Sequence, residues 1–244
     1  AKRIILNKTE ELQRIIAGRD KLYSVIAHDL RSPMGSIKMV LNMLMLNLPV
    51  EKIGGEMYEL LTMANRTTED VFSLLDNLLK WTKSQIGNLN VVYQDVDAVE
   101  VVDSVIDVFN MVAGLKKITI REEKPEKLPV CTDIDMLKTI IRNLLSNAIK
   151  FSNENSEVLV KMEEQGDTVV VSVKDSGCGI DEEGQQKLLH TDTHFSTFGT
   201  NNEEGSGLGL LLCQDFAVKI GGKLWFTSKE GEGSTFYFSI PLKK

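Results

Sequence analysis

Two rhythms of apolar and polar positions divide the chain. Apolar residues recur at Leu12, Ile15, Ile16, Leu22, Val25 and Ile26, then again at Ile37, Val40, Leu41, Leu44 and Leu48. This three-four spacing predicts one long amphipathic helix over residues 7–48, on the order of 60 Å at 1.5 Å per residue. Pro49 and the Gly54-Gly55 pair predict a turn. A second, nearly heptad repeat follows through Met57, Leu60, Leu61, Ala64, Thr67, Thr68, Val71, Leu74, Leu75 and Leu78, and fades near Trp81–Ile86. Gly87-Asn88 reads as a linker.

Beyond Asn90 the rhythm shortens. β-rich runs stand at 91–93, 117–121, 157–163, 168–173, 223–227 and 235–240, with helical stretches near 97–114, 133–150, 181–189 and 207–220. Asp133 is placed to cap the helix carrying Met136, Leu137, Ile140 and Ile141. The expected fold is α+β: a helical hairpin over 1–88, then a two-layer α/β sandwich over 89–244. A lone hairpin has too little partner surface to bury both stripes, so a dimeric four-helix bundle is expected. A monomeric hairpin leaning on the second domain is the alternative.

Inside the first helix lies His28-Asp29-Leu30-Arg31-Ser32-Pro33. Steps of seven from His28 meet Arg14, Lys21, Gly35 and Asn42, a polar stripe off the apolar seam. His28 is therefore expected at the surface beside a carboxylate, with Pro33 kinking the helix. One such histidine is ordinarily a solvated surface residue. Three later stretches change that reading: Asn143-x-x-x-Asn147-Ala-Ile-Lys150-Phe151, Asp175-Ser-Gly177-Cys-Gly179 and Gly205-Ser-Gly207-Leu208-Gly209.

In this order, behind a helical histidine, the three stretches resemble the sensor histidine kinases of two-component signalling, from about Leu22 to Leu242. The resemblance implies the sandwich shared with DNA gyrase, mismatch-repair proteins and heat-shock chaperones. It implies ATP and Mg²⁺ as cofactors, phosphorylation of His28, and transfer to an aspartate of a response-regulator receiver domain. It also implies a homodimer, and the cytoplasmic portion of a membrane-anchored bacterial sensor.

The residues suit that chemistry. Asn143, Asn147 and Lys150 share one helix face by their spacing. The amide oxygen of Asn147 is a fair ligand for a hard cation, and Lys150 can meet phosphate as a point charge. Asp175 suits an exocyclic amine, in the family that of adenine, and Gly177 and Gly179 let backbone approach the base. Gly205, Gly207 and Gly209 open a helix whose free N–H groups favour phosphate. Asp29 is the candidate to orient and deprotonate the imidazole of His28. Ser32, one turn on, stands where the family's phosphatases often carry Thr or Asn. Each motif alone reads equally well as an ordinary turn or polar helix face.

Residues 191–204 correspond to the family's mobile lid, with Phe195 and Phe198 resembling its aromatic motif. Between Leu188 and Ser206 there is no Lys or Arg, which leaves phosphate charge to Mg²⁺, Lys150 and backbone amides. Gly231-x-Gly233-Ser-Thr-Phe236 resembles the last glycine box.

Composition narrows the rest. A net charge of −7 without a basic, aromatic-laced stripe disfavours nucleic acid. Cys131, Cys178 and Cys213 lack metal-ligand spacing and read as reduced thiols. No apolar run reaches the roughly 18–20 residues of a membrane span, so this stretch is expected to be soluble without inserting directly. Two rivals remain: an ATPase of the same pocket family acting as a conformational clamp, and a dimeric scaffold without activity.

Overall fold

The structure is a computed structural model that describes residues 23, 26, 27, 29–48, 54–85, 90–189 and 208–242. The chain divides into two compact units, Ala1–Asn90 and Val91–Lys244.

The first unit is helical. Helix α1 takes in residues 26, 27 and 29–47 without a break at Pro33, so the proline does not end it. Gly54 takes a positive φ of 78° just before helix α2, Gly55–Gln85, and its carbonyl accepts from Tyr58 N at 3.2 Å. Arg31 pairs with Asp76 at 2.8 Å, Lys38 pairs with Glu69 at 3.4 Å, and Gly35 faces the Phe72 ring. In all three contacts the residue numbers of the two partners have the same sum, the mark of an antiparallel hairpin register. Ala27, Leu75 and Leu79 form its small core, flanked by Met34, Val71 and Leu78.

This register corrects the expected seam. Gly35 and Asn42 were expected on an exposed polar stripe, yet both are half-buried. Much of the apolar stripe points outward instead: Ile26 is 43% exposed, Ile37 47% and Val40 55%. The reason is that helix–helix contact inside the hairpin uses one face of α1, through Ala27, Arg31, Met34, Gly35 and Lys38. Among the described residues, the Leu30, Ile37 and Leu44 face is left exposed.

The second unit begins with β1, Gln94–Asp97, and α3, Ala98–Leu115. Strands β2, Thr119–Glu123, and β3, Pro129–Thr132, lead into α4, Ile134–Phe151. The hairpin β4, Glu157–Gln165, and β5, Thr168–Lys174, turns on Gly166 at φ 63°. After α5, Glu182–Leu189, and α6, Leu208–Lys219, the chain ends in β6, Leu224–Lys229, and β7, Gly233–Pro241. Five strands form one sheet in the order β2-β4-β5-β7-β6, with β2 and β4 parallel and the other pairs antiparallel; β1 and β3 pair separately.

The pleat sorts the two faces. Val160 pairs with Val173, Met162 with Val171, and Val171 with Phe238, all buried beneath the helices. Lys161, Ser172, Tyr237 and Trp225 form a row across the opposite face and are only half-buried. Helix α4 lies at the centre of the helical layer, packed on α3, α6 and β5. Asp133 caps it, accepting Met136 N at 3.0 Å on one oxygen and Val92 N at 2.8 Å on the other. Asp97 caps α3 in the same way and also accepts from Leu128 N. Strand β1 lies three residues beyond the expected 91–93 run, and β3 was not anticipated. Pro129 and Cys131 gave that four-residue segment little strand signal.

Candidate nucleotide site

Three separated stretches meet around α4. Asn143 and Asn147 are half-buried along its edge with Lys150 and Phe151, whereas Leu144, Leu145, Ala148 and Ile149 are buried. Successive 100° steps place Asn143, Asn147 and Lys150 on one narrow arc. The Asn143 side chain donates to Thr139 O at 2.9 Å, turning its Oδ1 toward the first turn of α6. A Cβ on Gly209 would lie 2.7 Å from that oxygen. Glycine at 209 thus lets α6 settle against Asn143.

The loop after β5 meets the other end of α4. Gly177 pairs with Ser152 as a single bridge, and a Cβ at 177 would stand 2.0 Å from Phe151 O. Gly179, at φ 65°, is pressed equally closely against Lys229 O. The close approaches these two glycines permit are to protein backbone, a demand that sequence alone does not reveal. Gly233 extends the pattern, because its missing Cβ makes room for Asp175 O.

Asp175 lies at the meeting point and is buried. Its Oδ1 accepts Gly177 N at 2.9 Å and Ser234 N at 3.2 Å, while its own N–H donates to Ser234 O at 2.9 Å. Burial pushes its carboxyl above the ordinary range, and the N–H donors of Gly177 and Ser234 pull it back down. Ser228 fastens the surrounding loops. Its hydroxyl donates to Gly233 O at 3.1 Å, accepts Ile180 N at 2.9 Å, and lies 2.9 Å from Ser234 Oγ. Ser228 did not stand out in the sequence, since one serine in a strand carries no pattern of its own, whereas Ser234 belongs to the last glycine box.

Lys150 Nζ sits 5.3 Å from the Phe151 ring centroid. Helix α6 starts at Leu208, where first-turn N–H groups lack helical partners. Among the described residues no three His, Cys, Asp or Glu side chains gather as a metal cage. The amide oxygen of Asn147 is the kind of ligand taken by a cation that arrives with phosphate and water ligands, as Mg²⁺ does. Gly205, Gly207, Phe195 and Phe198 lie outside the described residues, as does His28. Asp29 and Ser32 are exposed on α1, and Ser32 O accepts Ser36 Oγ at 3.3 Å.

This fold and convergence define an ATPase domain: residues 132–244 match the family model described as histidine kinase-, DNA gyrase B-, and HSP90-like ATPase. The chain is 29% identical over 238 residues to the adaptive-response sensory kinase SasA of Crocosphaera subtropica, covering 96% of this chain and 62% of that relative. The catalytic domain of the histidine kinase ThkA matches at 30% identity and TM-score 0.55, covering 63% of this chain and 99% of that structure. Full-length ShkA, solved in complex with AMPPNP, shares the fold at 21% identity and TM-score 0.67, over 92% of this chain and 46% of ShkA. The chain belongs to the sensor histidine kinases.

Proposed function

We propose that the chain binds ATP with Mg²⁺, phosphorylates His28, and passes the phosphoryl group to an aspartate of a response-regulator receiver domain. The observation that carries this reading is the joining of Asn143 to Gly209 and of Phe151 to Gly177 around buried Asp175. It supports a site in which an amine acceptor, an amide, an ammonium and a helix N-terminus serve one nucleoside triphosphate.

Both described bonds to the Asp175 side chain fall on Oδ1, so Oδ2 is the atom that accepts the exocyclic amine of adenine. Asn147 holds the cation, which neutralises phosphate charge when bound. Lys150 and the first N–H groups of α6, with Gly205 and Gly207 before them, face the phosphates. His28 attacks the γ-phosphorus through its free ring nitrogen. The bond to the bridging oxygen breaks, ADP leaves with the electron pair, and Asp29 takes the imidazole proton. Phosphoryl transfer asks mainly for positioning and charge neutralisation.

The hairpin, with Leu30, Ile37 and Leu44 exposed, fits a homodimer in which two copies close a four-helix bundle. The chain is read as the cytoplasmic part of a membrane-anchored sensor. Among the described residues no helix is long and apolar enough to cross a membrane. The test against a conformational clamp is the fate of the γ-phosphate. Purified protein with labelled ATP should yield phosphoprotein that loses its label to an added receiver domain. Release of inorganic phosphate without any phosphoprotein would favour the clamp, and absence of ATP binding would favour a scaffold.

A further inference from the structure

The buried ammonium of Lys116 belongs to none of the recognised motifs. Its backbone closes α3: Lys116 N donates to Ala113 O at 3.0 Å, and Lys117 follows at a positive φ of 56°. Its side chain crosses to the end of α4, where Nζ donates to Ile149 O at 3.1 Å and to Lys150 O at 2.8 Å. These are last-turn carbonyls, which have no intrahelical donor and lie at the negative end of the helix dipole. The residue is buried, with the bond to Ile149 O shielded from bulk water and the bond to Lys150 O partly so.

We propose that Lys116 is a positioning residue for the phosphate end of the nucleotide site, an inference that rests on the ATP reading above. The carbonyl it holds at 2.8 Å is that of Lys150, the residue whose ammonium is assigned to the phosphates under the ATP reading. Lys116 thereby sets where the final turn of α4 stops and where the Lys150 side chain leaves the helix. The adenine end has a separate anchor, because Asp175 is tied to Ser234 of β7 through both its N–H and its Oδ1. Loss of Lys116 should consequently separate the two ends of the ligand.

The test compares ATP with adenosine on the whole chain. In Lys116→Met, the Kd for ATP with Mg²⁺, read by calorimetry, should rise about tenfold or more. The Kd for adenosine, read by ligand-observed NMR, should stay within about twofold of wild type. In Lys150→Met the same Lys116 change should have little further effect on ATP, since both act through one group. If Lys116→Met loses its cooperative thermal transition, Lys116→Gln carries the comparison, because its uncharged amide stays polar but is one atom too short to hold both carbonyls. Equal losses for ATP and adenosine would overturn the proposal by making Lys116 a general structural cap, and unchanged ATP affinity would overturn it outright. A wild-type chain that binds neither ligand would refute the ATP reading itself, and this proposal with it.

Discussion

Asp175 sits where a carboxylate is costly and is kept there by two backbone donors on one oxygen. Its raised pKa fixes a sign. The folded state holds the proton to higher pH than the unfolded chain, so this group's contribution is greatest at acid pH and is lost as pH rises through the folded pKa. Asparagine keeps a carbonyl oxygen for Gly177 N and Ser234 N but presents an NH₂ where the acceptor stood. Asp175→Asn should therefore leave the thermal midpoint at pH 7 equal to wild type or higher, with the difference shrinking below about pH 4. It should also weaken ATP binding by about 10–100-fold, because two donors would then face each other. Thermal melts across pH and calorimetric titration check both halves; a lower midpoint with intact ATP binding would contradict them.

At the scale of elements, two glycines that look alike in sequence should behave differently. A Cβ at Gly177 meets backbone that cannot move aside, whereas one at Gly209 meets only the end of the Asn143 side chain. Gly177→Ala should cost about 1–3 kcal/mol by denaturant unfolding. Gly209→Ala should be near neutral, the clash offset by alanine's advantage in a helix of about 1 kcal/mol, while it displaces Asn143 and weakens ATP binding. Equal destabilisation by both would sink this distinction. The difference marks what sequence could convey. Helix α4, its Asp133 cap and the β4–β5 hairpin were legible because apolar period and turn chemistry agreed locally. The hairpin's inner face was not, since α1 carries two competing stripes and only packing against Phe72, Asp76 and Glu69 chooses between them. The backbone contacts of Gly177 and Gly179, the Ser228 hub and the Lys116 cap were illegible as well. Each depends on chain segments brought together only by folding.

For the whole molecule, the central issue is what the outward stripe of the hairpin meets. Ile26, Leu30, Ile37, Val40 and Leu44 on α1, with Met57, Leu60 and Met63 on α2, form apolar surface of a kind soluble chains seldom leave uncovered. A second copy covers it if the bundle reading holds. Residues 1–88 should sediment as a dimer at micromolar concentration, and Ile37→Glu should shift them toward monomer while retaining helical circular dichroism. A monomeric wild-type hairpin would remove the bundle.

Kinase function in this chain turns on one histidine. The chain has three, and the other two, His190 and His194, fall in the stretch that resembles the lid. Incubation of the full chain with ATP labelled on the γ-phosphate, followed by acid and alkaline treatment, tests the claim most directly. The expected result is label on the protein that is lost in acid, stable in alkali, and absent from His28→Gln while that variant still binds ATP. Label that persists in His28→Gln, or a wild-type chain that binds ATP yet never becomes labelled, would contradict it.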